Sequence, residues 1–271
     1  MMVPMQAPGD RRADPAATRQ ADAGDGRAVV RLAWFGLALA SAGTALELLA
    51  GPGYRLGWWG LGSGLQTLRW AAIGAALAAV FALCAAVLAG RRRVRRALLP
   101  SVAAVALGLA AALPPAWLWY QSRDLPHLHD VSTDTAEPPR YVAVLPLRQG
   151  ARNTVDYSAA TAELQRGGYP DIVPLIVDAP PPQVLRRAER VARSMGWDIV
   201  AVAPQDRRIE ATATTLLFGF KDDVVIRVTP QGAASRVDVR SLSRIGGSDF
   251  GTNAKRIRAF LANLKAESGA G

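Results

Sequence analysis

Residues Asp223–Phe260 read DVVIRVTPQGAASRVDVRSLSRIGGSDFGTNAKRIRAF. Two stretches, Asp223–Thr229 and Ser235–Leu242, read as strands; in the second, Val237 and Val239 alternate with Arg236, Asp238 and Arg240, the pattern of a half-buried strand. Between them, Gly232 stands at the first central position of a two-residue turn, as a type II′ hairpin requires. That turn sets a register. Val228 faces Val237 and Ile226 faces Val239 on the core side, while Arg227 faces Asp238 on the other and Asp223 falls opposite Leu242. A cross-strand ion pair between Arg227 and Asp238 is expected, worth at most ~1 kcal/mol if exposed. After Leu242 the period changes. Phe250, Ala254, Ile257, Leu261 and Leu264 recur at helical spacing and predict an amphipathic helix over Asp249–Ala266. Ser248 is the expected N-cap, and Asp249 suits the positive helix start. Gly246–Gly247 then turns a strand into a helix and needs no ligand to explain it.

Upstream, Ile172–Val177 reads as a short strand. Pro180–Pro182 opens a helix whose face is Val184, Leu185, Ala188, Val191, Ala192 and Met195, and Gly196 stops it. Trp197–Ala203 and Arg208–Thr214 read as two more strands. Residues 121–170 carry few periodic patterns and are expected to form an extended arm. It holds a short strand at Tyr141–Leu145 and a helix over Ala159–Gln165 capped by Ser158. The order for residues 171–267 is strand, helix, about four antiparallel strands, helix. That predicts an α+β layer with both helices on the apolar face of the sheet, helix-grip-like by analogy.

The first half is different. Leu32–Ala50, Trp70–Ala89 and Leu98–Trp119 are each long enough to cross a ~30 Å hydrocarbon core, giving three transmembrane helices within residues 32–120. Only Glu47 is charged within them, near enough to a span end to snorkel. Residues 1–120 carry 12 Arg against five acidic residues, so most of the net charge of +10 flanks apolar segments rather than a folded basic module. That distribution points to membrane topology and away from a nucleic-acid partner. Residues 1–31 read as a disordered tail. The tail and the RRRVRR run at Arg91–Arg96 fall on one side of the bilayer, cytoplasmic by the positive-inside rule. Three spans then place everything after Tyr120 on the opposite, periplasmic side of an inner membrane. The single Cys84 lies in an apolar run, which excludes a disulfide framework and a cysteine zinc site.

Three segments resemble a known family: HDVSTDTAEPP (His129–Pro139), GFKDDVVIRV (Gly219–Val228) and DVRSLSRIGGSDFGTNAKRIRAF (Asp238–Phe260). They look like the hallmark segments of the family catalogued as domain of unknown function 1499, over roughly residues 127–265. The resemblance implies a bacterial or plastid protein, often with transmembrane helices before the domain. It brings no catalytic residues with it.

The residues themselves offer few chemical constellations. His127 and His129, with Asp130 and Asp134, lie on one short arm and read as hydrogen-bonding turn residues; no metal site and no cofactor are expected. Gly246–Asn253 lacks the lysine of a phosphate loop. The better cluster is polar: Asp222, Asp223, Arg240, Ser243, Arg244, Asp249, Asn253 and Arg256, which the register brings toward one end of the sheet. It reads as a network pinning the last helix, as a site for an anionic or polar ligand, or as paired carboxylates for acid–base work. Arg186, Arg187, Arg190 and Arg193 crowd one helix face, a solvated face or a contact with anionic headgroups. The expectation is a membrane-anchored module that binds an envelope protein, lipid or glycan without catalysis. An enzyme acting on a lipid or cell-wall component, and a structural membrane subunit, are the alternatives.

Overall fold

A computed structural model describes residues 15–269, with side chains described from residue 26 to residue 268. The chain divides into two units, residues 1–116 and 117–271. Residues 1–14 of the expected disordered tail lie outside the described residues, and helix α1 begins at Pro15.

Three helices form the first part: α1 (Pro15–Arg55), α2 (Leu61–Arg91) and α3 (Arg95–Ser122). The stretches Gly26–Arg55, Leu61–Arg91 and Arg95–Ser122 are long and apolar enough to cross a membrane. Their contacts are made by small residues. Ala75, Ala78, Ala82 and Ala104 are buried, and a Cβ on Gly108 would come within 2.6 Å of the Ala75 carbonyl oxygen. Where lipid is as apolar as leucine, close approach of backbones is what holds helices together. The large side chains face outward, among them Trp34, Leu77 and Leu99.

The second unit is α+β. After α3 come strand β1 (Asp130–Ser132), a 3-10 turn (Leu145–Arg148), α4 (Ala159–Gly168), β2 (Leu175–Val177) and α5 (Pro181–Ser194). Then follow β3 (Asp198–Ala203), β4 (Arg208–Thr214), β5 (Lys221–Gln231), β6 (Ala234–Ser243) and α6 (Thr252–Gly269). The six strands form one antiparallel sheet in the order β1-β6-β5-β4-β3, with β2 also on β6. β6 is long enough to host both short strands: β1 pairs with Arg240–Leu242 and β2 with Ser235–Val237.

The β5–β6 register is the one the turn dictates: Val228 opposite Val237, Ile226 opposite Val239, Arg227 opposite Asp238 and Asp223 opposite Leu242. Gly232 has φ +61° and Ala233 does not have positive φ, as a type II′ turn demands. On one face, Ile209, Ala211, Val224, Ile226, Val228, Val237 and Val239 pack under α5 and α6. α5 contributes Val184, Leu185, Ala188, Val191 and Ala192, and α6 contributes Ala254, Ile257, Phe260 and Leu264. Trp197 stacks on Phe260 with ring centroids 5.4 Å apart. Ser158 caps α4 by accepting from the Thr161 amide.

Two local expectations fail for identifiable reasons. Tyr141–Leu145 is no strand. The amides of Val142, Ala143 and Val144 all donate to the carboxylate of Glu210, at 2.9, 3.0 and 3.0 Å. A segment whose amides converge on one carboxylate cannot pair along a sheet edge, and it turns instead into Leu145–Arg148. Nor does the last helix begin at Asp249. Phe250 and Gly251 have φ +52° and +76°, so regular helix starts only at Thr252. Phe250 is thereby swung out of the apolar face and is exposed. Asp249, not Ser248, is the cap: its two carboxylate oxygens accept from the amides of Gly251 and Asn253 at 2.8 and 2.7 Å. Ser248 makes only a 3.4 Å contact with the Phe250 amide.

Glu210 is fully buried and also accepts from Arg208 Nε at 2.8 Å. Glu210→Ala strands three amides and a guanidinium, and is expected to cost ~3–5 kcal/mol. Denaturant unfolding of the α+β domain in the full chain reads this; Glu210→Gln, which keeps one acceptor oxygen, is expected to cost less.

Candidate functional site

Successive residues on a strand point to opposite faces, and this divides the polar cluster. Asp222 and Asp223 are neighbours in β5 yet belong to two separate networks.

On the helix-covered face, Asp222 is clasped by Arg256 (Nη2 to Oδ2, 2.6 Å). Arg256 also donates to the Ser241 hydroxyl and to Asn253 Oδ1. Asn253 is fully buried; its Nδ2 donates to the His129 carbonyl and the Ser243 hydroxyl, and its Oδ1 accepts from Ser241. Asp249 caps α6 beside them. Burial pushes its carboxyl above the usual aspartate value, against the two amides that favour the charged form, and nearby Asp222 adds to the rise. Five of the eight expected residues, Asp222, Ser243, Asp249, Asn253 and Arg256, therefore meet here. Together they lock α6 to β5, β6 and the segment entering β1.

The opposite face holds the other three. Asp223 is fully buried and accepts from Arg148 (2.5 Å), from both Nε and Nη2 of Arg244 (2.9 and 2.8 Å), and from Thr212 (2.8 Å). Arg240 grips Asp130 with two bonds, 3.0 and 2.6 Å, and donates to the carbonyls of Pro139 and Val155. The rings of Tyr141 and Tyr157 lie 5.0 and 5.3 Å from its guanidinium carbon. The expected Arg227–Asp238 pair forms at 3.1 Å, but not as an isolated surface pair. Asp238 is fully buried, and Arg236 and Asp134 complete a four-membered network with them. The arm is thus pinned across this face at Asp130, Asp134, Val142–Val144 and Arg148.

Between the arm and the sheet the same face leaves an open polar cleft of about 760 Å³. Arg140, Tyr157, Arg208, Arg227 and Arg240 line it, together with the acidic side chains of Glu137, Asp156 and Asp206. Sequence reasoning named Arg240 as a site candidate and Arg227 only as the ion-pair partner of Asp238. The other three lie at unrelated positions on the arm and on β4, with no spacing to join them. The one available signal was Glu210, a charge inside an otherwise apolar and small strand, which marks where the arm docks.

The arginines of α5 are partly engaged: Arg190 pairs with Glu267 and Arg193 with Glu189, while Arg186 is exposed and Arg187 half-buried. Among the described residues, no group of three His, Cys, Asp or Glu could hold a metal. His129 instead faces the Gly247 carbonyl at 3.4 Å.

The architecture is an α+β domain that follows three helices able to span a membrane. Residues 130–264 match the family described as "Protein of unknown function (DUF1499)", and the chain belongs to that family through this domain. No curated protein matches the chain. Among solved structures it is similar to the crystal structure of TTHA0849 from Thermus thermophilus. The TM-score is 0.25 and the identity 13%, over 36% of this chain and 95% of that one. A likeness of that size carries no argument.

Asp134 gives the arm a pH dependence. Burial works to raise its pKa, but the amides of Glu137 and Ala136 and the guanidinium groups of Arg236 and Arg227 outweigh it, and the net shift is downward from 3.8. A lowered folded-state pKa contributes stability that is present above the unfolded value and is lost as pH falls through the folded one. Unfolding free energies compared at about pH 6 and about pH 3 are expected to fall less steeply in Asp134→Asn than in the parent. An unchanged acid slope contradicts this assignment.

Proposed function

We propose that this is a membrane-anchored binding module, non-catalytic, whose α+β domain lies on the periplasmic side of an inner membrane. Its function in this reading is to hold a component of the envelope, and the open cleft between arm and sheet is where it does so. The carrying observation is the contrast between the candidate carboxylates, all engaged, and a cleft that gathers arginines on one open face. Asp222 and Asp223 are each held by arginine, and Asp249 caps a helix. That leaves acid–base chemistry without a spare group among these three carboxylates. The cleft, in contrast, gathers Arg140, Arg208, Arg227 and Arg240 around the Tyr157 ring, with Arg208, Arg227 and Arg240 fixed in place by Glu210, Asp238 and Asp130. Guanidinium and phenol surfaces side by side suit a polar, anionic ligand: the headgroup of a lipid, an acidic glycan, or an acidic segment of an envelope protein. The orientation rests on the arginine run Arg91–Arg96 and the positive-inside rule.

A photo-crosslinking residue at Tyr157 in the full-length protein tests the reading in intact cells. A discrete adduct is expected, and it is expected to be lost in Arg140→Glu/Arg208→Glu. Adducts indifferent to that charge reversal contradict the cleft assignment. The same tagged chain tests orientation: a label impermeant to the inner membrane is expected to reach position 157 and not position 93.

A further inference from the structure

The connection between β4 and β5 is apolar where it should be polar. Thr214–Phe220 reads TTLLFGF. The loop has a built form. The Thr215 amide donates to the Phe220 carbonyl at 2.9 Å, the Gly219 amide to the Thr215 carbonyl at 3.0 Å, and the Phe220 amide to the Thr215 hydroxyl at 2.9 Å. Phe218 is buried and stacks on Phe220 at 5.2 Å. The result is a closed loop that holds Leu216 and Leu217 at its tip, 93% and 38% exposed. Presenting leucines to water is unfavourable, and rigid presentation of such a tip marks an interaction surface.

The sheet register says where this tip lies within its unit. Asp130, the first residue of β1, pairs with Leu242; Leu242 pairs with Asp223; and Asp223 with Thr212. The 215–220 loop therefore leaves the sheet at the end where the chain enters it from α3. Further exposed apolar groups lie at that end. Phe250 is 51% exposed just after Asp249, whose amide donates to the Leu128 carbonyl. Leu147 is 52% exposed, and its carbonyl accepts from Arg244. Exposed Lys221 and Arg152 flank them through the Arg244 backbone.

The occupant follows from the tether. Only residues 123–129 separate α3 from β1, and seven residues cover at most about 25 Å even when fully extended. They are not fully extended: Leu125 packs against the core, and the Leu128 and His129 carbonyls are bonded to Asp249 and Asn253. At the far end of that tether, Trp117, Trp119 and Tyr120 are exposed, with Arg123 over the last two rings. This is the composition of a helix end at a membrane–water boundary.

We propose that the 215–220 loop is a second membrane anchor. Leu216 and Leu217, supported by Phe250 and Leu147, insert into the interfacial layer of the bilayer that the helices are built to cross, while Lys221 and Arg152 meet anionic headgroups. The inference does not depend on the cleft or on which side of the membrane the domain lies. It also moves the lipid contact from the arginines of α5 to the apolar end of the sheet.

The test uses the full-length chain with Cys84→Ala, reconstituted into vesicles of phosphatidylcholine and phosphatidylglycerol. An environment-sensitive fluorophore is placed on Leu216→Cys, or on Ala233→Cys at the opposite end of the sheet as reference. The probe at 216 is expected to emit to the blue of the probe at 233, to lose most of its emission to lipids brominated high on the acyl chain, and to resist aqueous iodide. The reference is expected to respond the other way. A probe at 216 quenched by iodide like the reference overturns the proposal. So does a probe shielded from both quenchers, since protein and not lipid would then cover the tip.

Discussion

The carboxylate of Asp223 is the constraint on which the path of the arm depends. It is fully buried in the central strand pair and accepts from two arginines and a threonine. One of those arginines, Arg148, belongs to the arm; the other, Arg244, begins the passage to the last helix. A charge so placed is costly unless all its lone pairs are met, so the chain has little freedom in where Arg148 and Arg244 go. Such a pair contributes little net stability compared with packed leucines, but it selects one path for the arm. Arg240 on Asp130 and Glu210 on three amides repeat the device along the same face. The helix side is held mainly by apolar burial, with the Asp222–Arg256 network at one end, and the arm side by ions around a small apolar cluster of Tyr141, Val144, Val225 and Leu242.

That difference explains what could be read in advance. Periodicity reports burial, so the hairpin register, the α5 face, the Ser158 cap and the three apolar helices were legible from residue spacing. The arm has no period. Its path is set by Glu210 and Asp223, two charges in strands that align with nothing local. The polar cluster was half legible for a related reason. Register brought Asp223 opposite Leu242 correctly, yet adjacent strand residues face apart, and the expected single cluster became two networks back to back. Phe250 shows the limit at helix ends. Its spacing fits the apolar face, but the Asp249 cap needs left-handed backbone at the next two residues, and no spacing rule registers that.

The two unexplained surfaces of the domain differ in chemistry. The cleft on the ion-paired face is lined by guanidinium and phenol groups and suits a polar ligand. The end of the sheet where the chain enters exposes Leu216, Leu217, Phe250 and Leu147 and suits a lipid interface. If the leucine tip rests on the bilayer, the cleft in the same unit is held at a constant height above it. A module so built is suited to reach components at or near the membrane surface, more than freely diffusing ones.

All of this rests on the arm being held by the sheet's buried charges, since the cleft exists only while the arm stays in place. Hydrogen–deuterium exchange on the full-length protein, comparing Arg148→Met with the parent, tests it most directly. The account predicts faster exchange across residues 141–157, with the β5–β6 hairpin as protected as before. An arm that keeps its protection without Arg148 would contradict it.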